Sequence, residues 1–276
     1  ENLPPDEVDY IIYAPNSSIK DFSVFTSLKA VLNLWAGVED VVKNKTLQVP
    51  LARMVDEGLT QGMKEWVLGH VMRHHLGTDL HVFGQDGQWR DWSAPPLAKN
   101  RSVTVLGLGA LGAQCAKTLS KIGFKVSGWS QSKKLIENVI CYYGSDGLEK
   151  SLKDAEIVVL LLPATNETEN IINQKTINYL SNKAVIINPG RGPLIDEEAL
   201  LKGIENGKIG HATLDVFREE PLPENHVFWA HPKITVTPHI ASETRPETAS
   251  KVIATNIDRF EKGLPLLNQV DFKAGY

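Results

Sequence analysis

Apolar residues fall along the chain in short dense runs, and between the runs they recur at intervals of three and four. Val8–Tyr13, Ala30–Leu34 and Val49–Arg53 are runs of strand length. With helical or loop segments between them, they predict a small open α/β domain. Leu59, Met63, Trp66, Val67 and Val71 keep helical spacing up to His75, which predicts an amphipathic helix. Gly77–Pro96 has neither period, so it reads as a long irregular arm. Its Trp89 and Trp92 are either core for a second subunit or folded back on their own domain.

From Arg101 onward the alternation is regular. Val103, Val105 and Leu106 form a short buried strand, and Cys115, Leu119 and Ile122 mark the following helix. Phe124–Trp129 is the next strand, and Ile140–Tyr143, Ile157–Leu162, Ala184–Asn188, Gly210–Val216 and Ile234–Thr237 continue the series. Such runs with helices between most of them predict a doubly wound parallel sheet, with ligands at the carboxyl ends of its strands. A helix from about Glu243 to Gly263 suits a crossing between domains, and the tail Leu266–Tyr276 is expected to return to the first. The predicted organisation is a discontinuous substrate domain, 1–92 and 244–276, and a dinucleotide-binding domain, 93–243. No strand precedes Val8 and the chain opens at Glu1, so the small domain is expected to lack its first β-α unit.

Composition narrows the classes. At 276 residues two domains are the default, and 42% hydrophobic and 22% charged residues are ordinary for a globular chain. A net charge of −4 gives no basic field for nucleic acid. No apolar run approaches the ~20 residues of a membrane span, and no signal peptide opens the chain. Cys115 and Cys141 are too few for a disulfide framework, so both are expected to be reduced thiols in a cytoplasmic protein.

The first strand of the regular series runs into Gly107-Leu-Gly109-Ala110-Leu111-Gly112, the G-x-G-x-x-G spacing of dinucleotide sites. The glycines permit the tight turn, the approach of phosphates to backbone and close helix packing, and the helix N-terminus then faces the pyrophosphate. At the end of the second strand an NAD enzyme has an acid for the ribose hydroxyls. This chain has Ser130, Gln131, Ser132, Lys133 and Lys134 there, which favours a 2′-phosphate and hence NADP, with NAD as the alternative. His70 and His74 lie four apart, a metal-ligand spacing, but no third ligand is near, so a helix surface is preferred and no metal is expected.

Three residues after strand ends form a coherent set: Arg191, Glu220 and His239. Reduction of a 2-keto acid needs a planar fork for the carboxylate and keto oxygen, which a guanidinium supplies. It also needs an acid to protonate that oxygen as hydride arrives, and a histidine raised by a neighbouring carboxylate fits near neutral pH.

With these residues in view, the sequence resembles the D-2-hydroxyacid dehydrogenase family along nearly the whole chain, and within it the bacterial glyoxylate/hydroxypyruvate reductases of the A type. The matching stretches are Ala36–Glu39, Gly107–Gly112, Trp129–Ser132, Leu161–Pro163, Asn188–Gly192, Leu214–Pro223, Thr237–Ile240 and Gln269–Asp271. The resemblance implies a Rossmann dinucleotide-binding domain with a smaller flavodoxin-like substrate domain, the cofactor between them, and a homodimer. It implies Arg191 as substrate anchor, His239 as acid/base with Glu220 as its partner, and Leu162, Pro163, Asn188 and Asp215 around the cofactor. Backbone N–H groups of Trp35, Ala36 and Gly37 would help hold the substrate, with Tyr13 as an aromatic over it. The chain departs from the family at Gly190, where alanine is common, at Gln131, where similar reductases often carry arginine, and at Trp35, which replaces a small residue. An NAD(H)-responsive interaction module of the corepressor type, or a dehydrogenase acting on another 2-hydroxy acid, is the alternative.

Overall fold

The computed structural model describes residues 3–275, and the chain divides into two units, Glu1–Gln61 with Glu243–Tyr276, and Gly62–Ser242. In the first, β1 (Tyr10–Tyr13), β2 (Ala30–Asn33) and β3 (Leu51–Ala52) form a parallel sheet in that order, with Ile11 opposite Val31 and Val31 opposite Leu51. One face buries Ile11, Tyr13, Val31 and Leu51 with Phe22, Val38, Val41 and Leu47; the other buries Ala30, Leu32 and Ala52 with Leu266. Helix α1 (Glu57–Leu76) starts here, its first turn closed by the Leu59 N–H on Asp56 Oδ1 at 2.9 Å.

In the second unit α2 (Thr78–Val82) is followed by β4 (Ser102–Leu106), α3 (Ala110–Ile122), β5 (Lys125–Ser130), β6 (Ile140–Tyr143), α4 (Gly144–Leu152), β7 (Ile157–Leu160) and α5 (Gln174–Tyr179). Then come β8 (Ala184–Asn188), α6 (Glu197–Glu205), β9 (Ile209–Leu214), α7 (Val227–Ala230) and β10 (Ile234–Val236). The seven strands pair in parallel in the order β10-β9-β8-β7-β4-β5-β6. The chain enters at β4, winds outward to β6, returns to β7 on the other side of β4 and winds outward again. That reversal makes the β4–β7 crevice the topological switch point, where such sheets hold ligands. Because both faces of the sheet are covered, β7 is buried at every residue, and this is why the central strands read as unbroken apolar runs.

Helix α8 (Pro246–Glu261) returns to the small unit, where Ile253, Ile257 and Phe260 pack against Ala30, Leu32 and Leu266. The tail follows as expected: Val270 N–H donates to Leu51 O at 2.8 Å, and Ala52 bridges Gln269. Tyr276 lies outside the described residues. No helix among the described residues is long and apolar enough to cross a membrane.

One expectation changes, and one open alternative closes. The first boundary lies at residues 61 and 62 and not at 92 and 93, because Met63, Val67 and Val71 of α1 are buried with Val103, Val105, Cys115, Leu119 and Phe124. Helical period shows that a face is buried but not against what. The arm carries α2 and a short 3-10 turn at Asp91–Ser93, and Trp89 and Trp92 stand 90% and 75% exposed, so they do not fold back.

His74 is not a plain surface residue. Its Nε2 lies 2.8 Å from Thr213 Oγ1 of β9, and its ring is 4.9 Å from that of His211. Burial, then the neighbouring His211, holds its pKa down to about 3; burial, then Arg73, holds His211 at about 4. Both folded pKa values lie below the unfolded one, so above ~6.5 neither state binds a proton and below it the unfolded state gains more. Stability should therefore fall with pH from about 6.5 downward, and His74→Gln should lose less melting temperature than the parent between about pH 7 and pH 5. Equal slopes in thermal melts of the two proteins would refute this reading.

Candidate active site

The glycine turn joins β4 to α3 at the switch point. Gly107 has φ +104, and a Cβ there would lie 2.4 Å from the Leu161 carbonyl oxygen on the loop after β7. A Cβ on Gly112 would lie 1.8 Å from Gly107 O, so α3 can leave the turn this closely only without one. No side chain caps the first turn of α3, and Gly109 and Ala110 are exposed with Leu111 half-buried, so its backbone donors face outward. This cradle fits a pyrophosphate. On the loop after β7, Leu162 is buried in the core, and the Pro163 carbonyl accepts the Thr168 hydroxyl at 2.7 Å.

At the end of β5, Ser132, Lys133 and Lys134 are exposed, and no carboxylate occurs before Glu137. Ser130 is placed differently from the expectation. It is 7% exposed and its hydroxyl donates to Ser132 O at 2.8 Å, so it shapes the loop.

Asn188 and Asp215 are likewise engaged with their own loops. Both stand where a cofactor contact is expected, at the ends of β8 and β9, yet they are 1% and 0% exposed. Asn188 Nδ2 donates to Arg191 O at 2.9 Å and its Oδ1 accepts from Gly190 N–H at 3.1 Å, so its side chain folds the Arg191 loop. The Asp215 carboxylate accepts the Thr237 hydroxyl at 2.6 Å, Ile240 N–H at 3.0 Å and Ala241 N–H at 2.9 Å. These bonds surround His239, whose N–H donates to Asp215 O at 2.8 Å and whose φ is +54. A polar residue at a strand's carboxyl end can serve a ligand, its own loop or both, and the hydrogen bonds here show the service to the loop.

His239 and Glu220 meet as the sequence predicts. His239 Nδ1 donates to Glu220 Oε2 at 2.7 Å, and Phe217 N–H donates to Oε1 at 2.8 Å. The hydrogen bond to Glu220 raises the His239 pKa; burial and Arg191 oppose it, and the charges of Glu220 and Asp215 add to it. Burial alone would raise Glu220, but the bonds from His239 and Phe217 and the charges of His239 and Arg191 outweigh it, leaving its pKa lowered. Arg191 is half-buried beside this pair, and its Nη1 donates to Gly190 O at 2.6 Å.

In the small unit, Tyr13 is not a surface aromatic. It is 5% exposed and packs edge-on against Phe22 at 5.3 Å, within the core, because the period-two face of β1 turns Ile11 and Tyr13 inward. Trp35 is 45% exposed, with Ala36 and Gly37 on the same loop. Asn33, at the buried end of β2, was not singled out in the sequence. Its Nδ2 donates to Trp35 O at 2.8 Å and Gly37 O at 3.0 Å. Carbonyl and N–H of a trans peptide point opposite ways, so the N–H groups of Ala36 and Val38 are directed away from Asn33. Its only sequence signal is a polar residue closing an apolar strand.

A titration of the His239 ring by NMR should give a pKa above the ordinary ~6.5 in the parent. Glu220→Gln keeps the shape but removes the charge, and the value should drop, while a parental value in the variant would dissociate the two groups.

Residues 67–241 match the family model "D-isomer specific 2-hydroxyacid dehydrogenase, NAD binding domain". Glyoxylate/hydroxypyruvate reductase A of Photorhabdus laumondii is 40% identical over 260 residues, covering 91% of this chain and 82% of that protein. A D-isomer specific 2-hydroxyacid dehydrogenase from Xanthobacter autotrophicus Py2, solved with NADPH and MES, superposes with TM-score 0.92 at 40% identity, over 100% of this chain and 87% of the other. An NADPH-dependent glyoxylate/hydroxypyruvate reductase from Sinorhizobium meliloti, solved with NADP and sulfate, gives TM-score 0.91 at 37% identity, over 98% and 87%. The chain belongs to the D-isomer specific 2-hydroxyacid dehydrogenase family.

Proposed function

We propose that this enzyme reduces small 2-keto acids of the glyoxylate and hydroxypyruvate type to 2-hydroxy acids with NADPH. The observation that carries the reading is the His239–Glu220 pair at 2.7 Å with the Arg191 charge acting on both members. Relatives named as reductases support it, and nothing comparable supports the interaction-module alternative.

In this reading the cradle at Gly107–Gly112 holds the pyrophosphate, and Ser132, Lys133 and Lys134 receive the 2′-phosphate. Bound NADPH supplies the hydride that arrives at the keto carbon. The Arg191 guanidinium takes the carboxylate and keto oxygen in a two-point contact, which fixes the carbon's face. His239 uses Nδ1 to hold Glu220, so Nε2 is the nitrogen that gives its proton to the keto oxygen. Glu220 favours the charged imidazolium before transfer and fixes the tautomer after it. The backbone donors at Ala36 and Val38 and the exposed Trp35 ring belong to substrate recognition, with Trp35 restricting the size of the acid.

We place the enzyme in the cytoplasm as a homodimer. Both cysteines are free, and Val82, Phe83, Trp89, Trp92 and Leu97 leave a large apolar area on one arm, which a second copy would cover. Light scattering after size exclusion should report a dimer in the parent and a shift toward monomer for the double variant Trp89→Ser/Trp92→Ser. A monomeric parent would end this part of the proposal.

The activity test is NADPH oxidation with a panel of 2-keto acids. Glyoxylate and hydroxypyruvate should be reduced, with NADPH preferred over NADH by about ten- to a hundredfold, as charge-assisted bonds of ~1.5–3 kcal/mol imply. kcat/KM for reduction should fall as pH rises through the raised His239 pKa, and Arg191→Lys should damage both KM and kcat while leaving NADPH affinity intact. No turnover on the panel, or an NADH preference, would contradict the reading.

A further inference from the structure

Arg218 is exposed, lies outside the set singled out in the sequence, and from the loop after β9 touches two further loops that follow neighbouring strands. Its Nη2 donates to the Asn170 side-chain oxygen, to Ile195 O at 3.1 Å and to Pro193 O at 3.3 Å, and its Nη1 faces Glu169 Oε1 at 3.4 Å. Glu169 and Asn170 belong to the loop after β7. Pro193 and Ile195 belong to the segment after β8 that carries Arg191, and Arg218 itself precedes Glu220 on the loop after β9.

The backbones meet directly beneath this guanidinium. A Cβ on Gly192 would lie 2.0 Å from the Phe217 carbonyl carbon and 2.4 Å from Arg218 N, so the 3-10 turn Gly192–Leu194 rests on the Phe217–Arg218 peptide. Asn170 is tied to the same turn, its N–H donating to Pro193 O at 2.9 Å. On its other side, Phe217 N–H is the donor that holds Glu220 Oε1. The cross-tie and the carboxylate that holds His239 are therefore two residues apart on one short loop.

We propose that Arg218 is a positioning residue for the reduction: by tying the loops after β7, β8 and β9 together, it fixes where the Glu220 carboxylate, and through it the His239 ring, stands relative to Arg191. This rests on the reductase reading. The role is geometric and not electrostatic at a distance. The charged groups acting on His239 are Glu220, Arg191 and Asp215, and on Glu220 they are His239 and Arg191; Arg218 is not among them. Its pair with Glu169 is long and part-exposed, and such pairs add little stability. The contacts that matter run from one nitrogen, Nη2, to two fixed carbonyls and one amide oxygen; its two N–H groups share these three acceptors, and a lysine ammonium, one bond shorter, would stand short of them.

The test uses the full chain with Arg218→Met, which keeps much of the length without donors, Arg218→Lys, which keeps the charge, and Asn170→Ala, which removes a partner. In Arg218→Met the His239 pKa, read by NMR, should move down toward that of Glu220→Gln. The falling limb of kcat/KM for reduction should move with it, and kcat should drop by about ten- to a hundredfold, the scale expected of a misplaced reacting group. NADPH affinity and melting temperature should stay near the parent's. Arg218→Lys should not restore the parental pKa, and Asn170→Ala should shift it in the same direction by less. An unchanged His239 pKa in a folded Arg218→Met protein overturns the inference, as does full rescue by lysine, which would make charge the cause. If the parent reduces none of the acids, the reductase reading fails, but the NMR comparison still decides whether Arg218 places the pair.

Discussion

In each unit the loops singled out above depend on polar side chains buried at the carboxyl ends of strands. Asn33 closes β2, Asn188 closes β8 and Asp215 follows β9, each almost wholly removed from solvent. A buried polar group left without partners costs about 1–3 kcal/mol, so the chain that follows is drawn back onto it. The partners are backbone groups of Trp35 and Gly37, of Gly190 and Arg191, and of Ile240 and Ala241. A loop pinned in this way cannot swing out without orphaning the buried group. Arg191 and His239 are thereby held by hydrogen bonds a few atoms away, and the left-handed conformation of His239, uncommon for a non-glycine residue, is over-determined by its neighbours.

Within the second unit, strand order brings the loops held by Asn188 and Asp215 to one edge. The chain reverses direction of winding between β4 and β7, so the loops after these two strands leave a crevice between them, and the glycine turn occupies it. Outward from there β7, β8 and β9 are neighbours, and their loops carry Pro163, Arg191 and Glu220 in succession. Parallel pairing puts all these loops on the same edge. Residues far apart in sequence therefore share that edge because the sheet is parallel throughout, and the contacts of Gly192 with Phe217 and of Gly107 with Leu161 show how tightly adjacent loops pack there.

What was legible in the sequence follows from which signals are one-dimensional. Buried strands announce themselves as apolar runs, a tight βα turn as spaced glycines, and a site at strand ends as polar residues after those runs; the strands, the cradle and the His239–Glu220 pair could all be found this way. The direction of a side chain is not one-dimensional. Tyr13 and Ser130 have the right type at the right end of a strand, but the pleat and a local hydrogen bond turn them inward. Asn188 and Asp215 have ligand-like chemistry, and the hydrogen bonds that tie them to their own loops leave no trace in the sequence. The extent of the first domain failed for a related reason, since the apolar face of α1 carries no mark of which core it joins.

Histidine environments make the remaining step. His70, His74, His75 and His211 have lowered pKa values, with burial as the first cause in each, whereas His239 has a raised one. Burial opposes the charged form of His239 as well, and Arg191 adds to that opposition. A hydrogen-bonded carboxylate is what reverses the sign, and Glu220 can play that part only because its own ionised form is held by the Phe217 N–H and the His239 and Arg191 charges against its burial. Two opposing charges, the Glu220 carboxylate and the Arg191 guanidinium, thus act on one imidazole without cancelling. That is the electrostatic requirement of delivering a proton to the oxygen of a bound keto acid, and a folded core has no need of it.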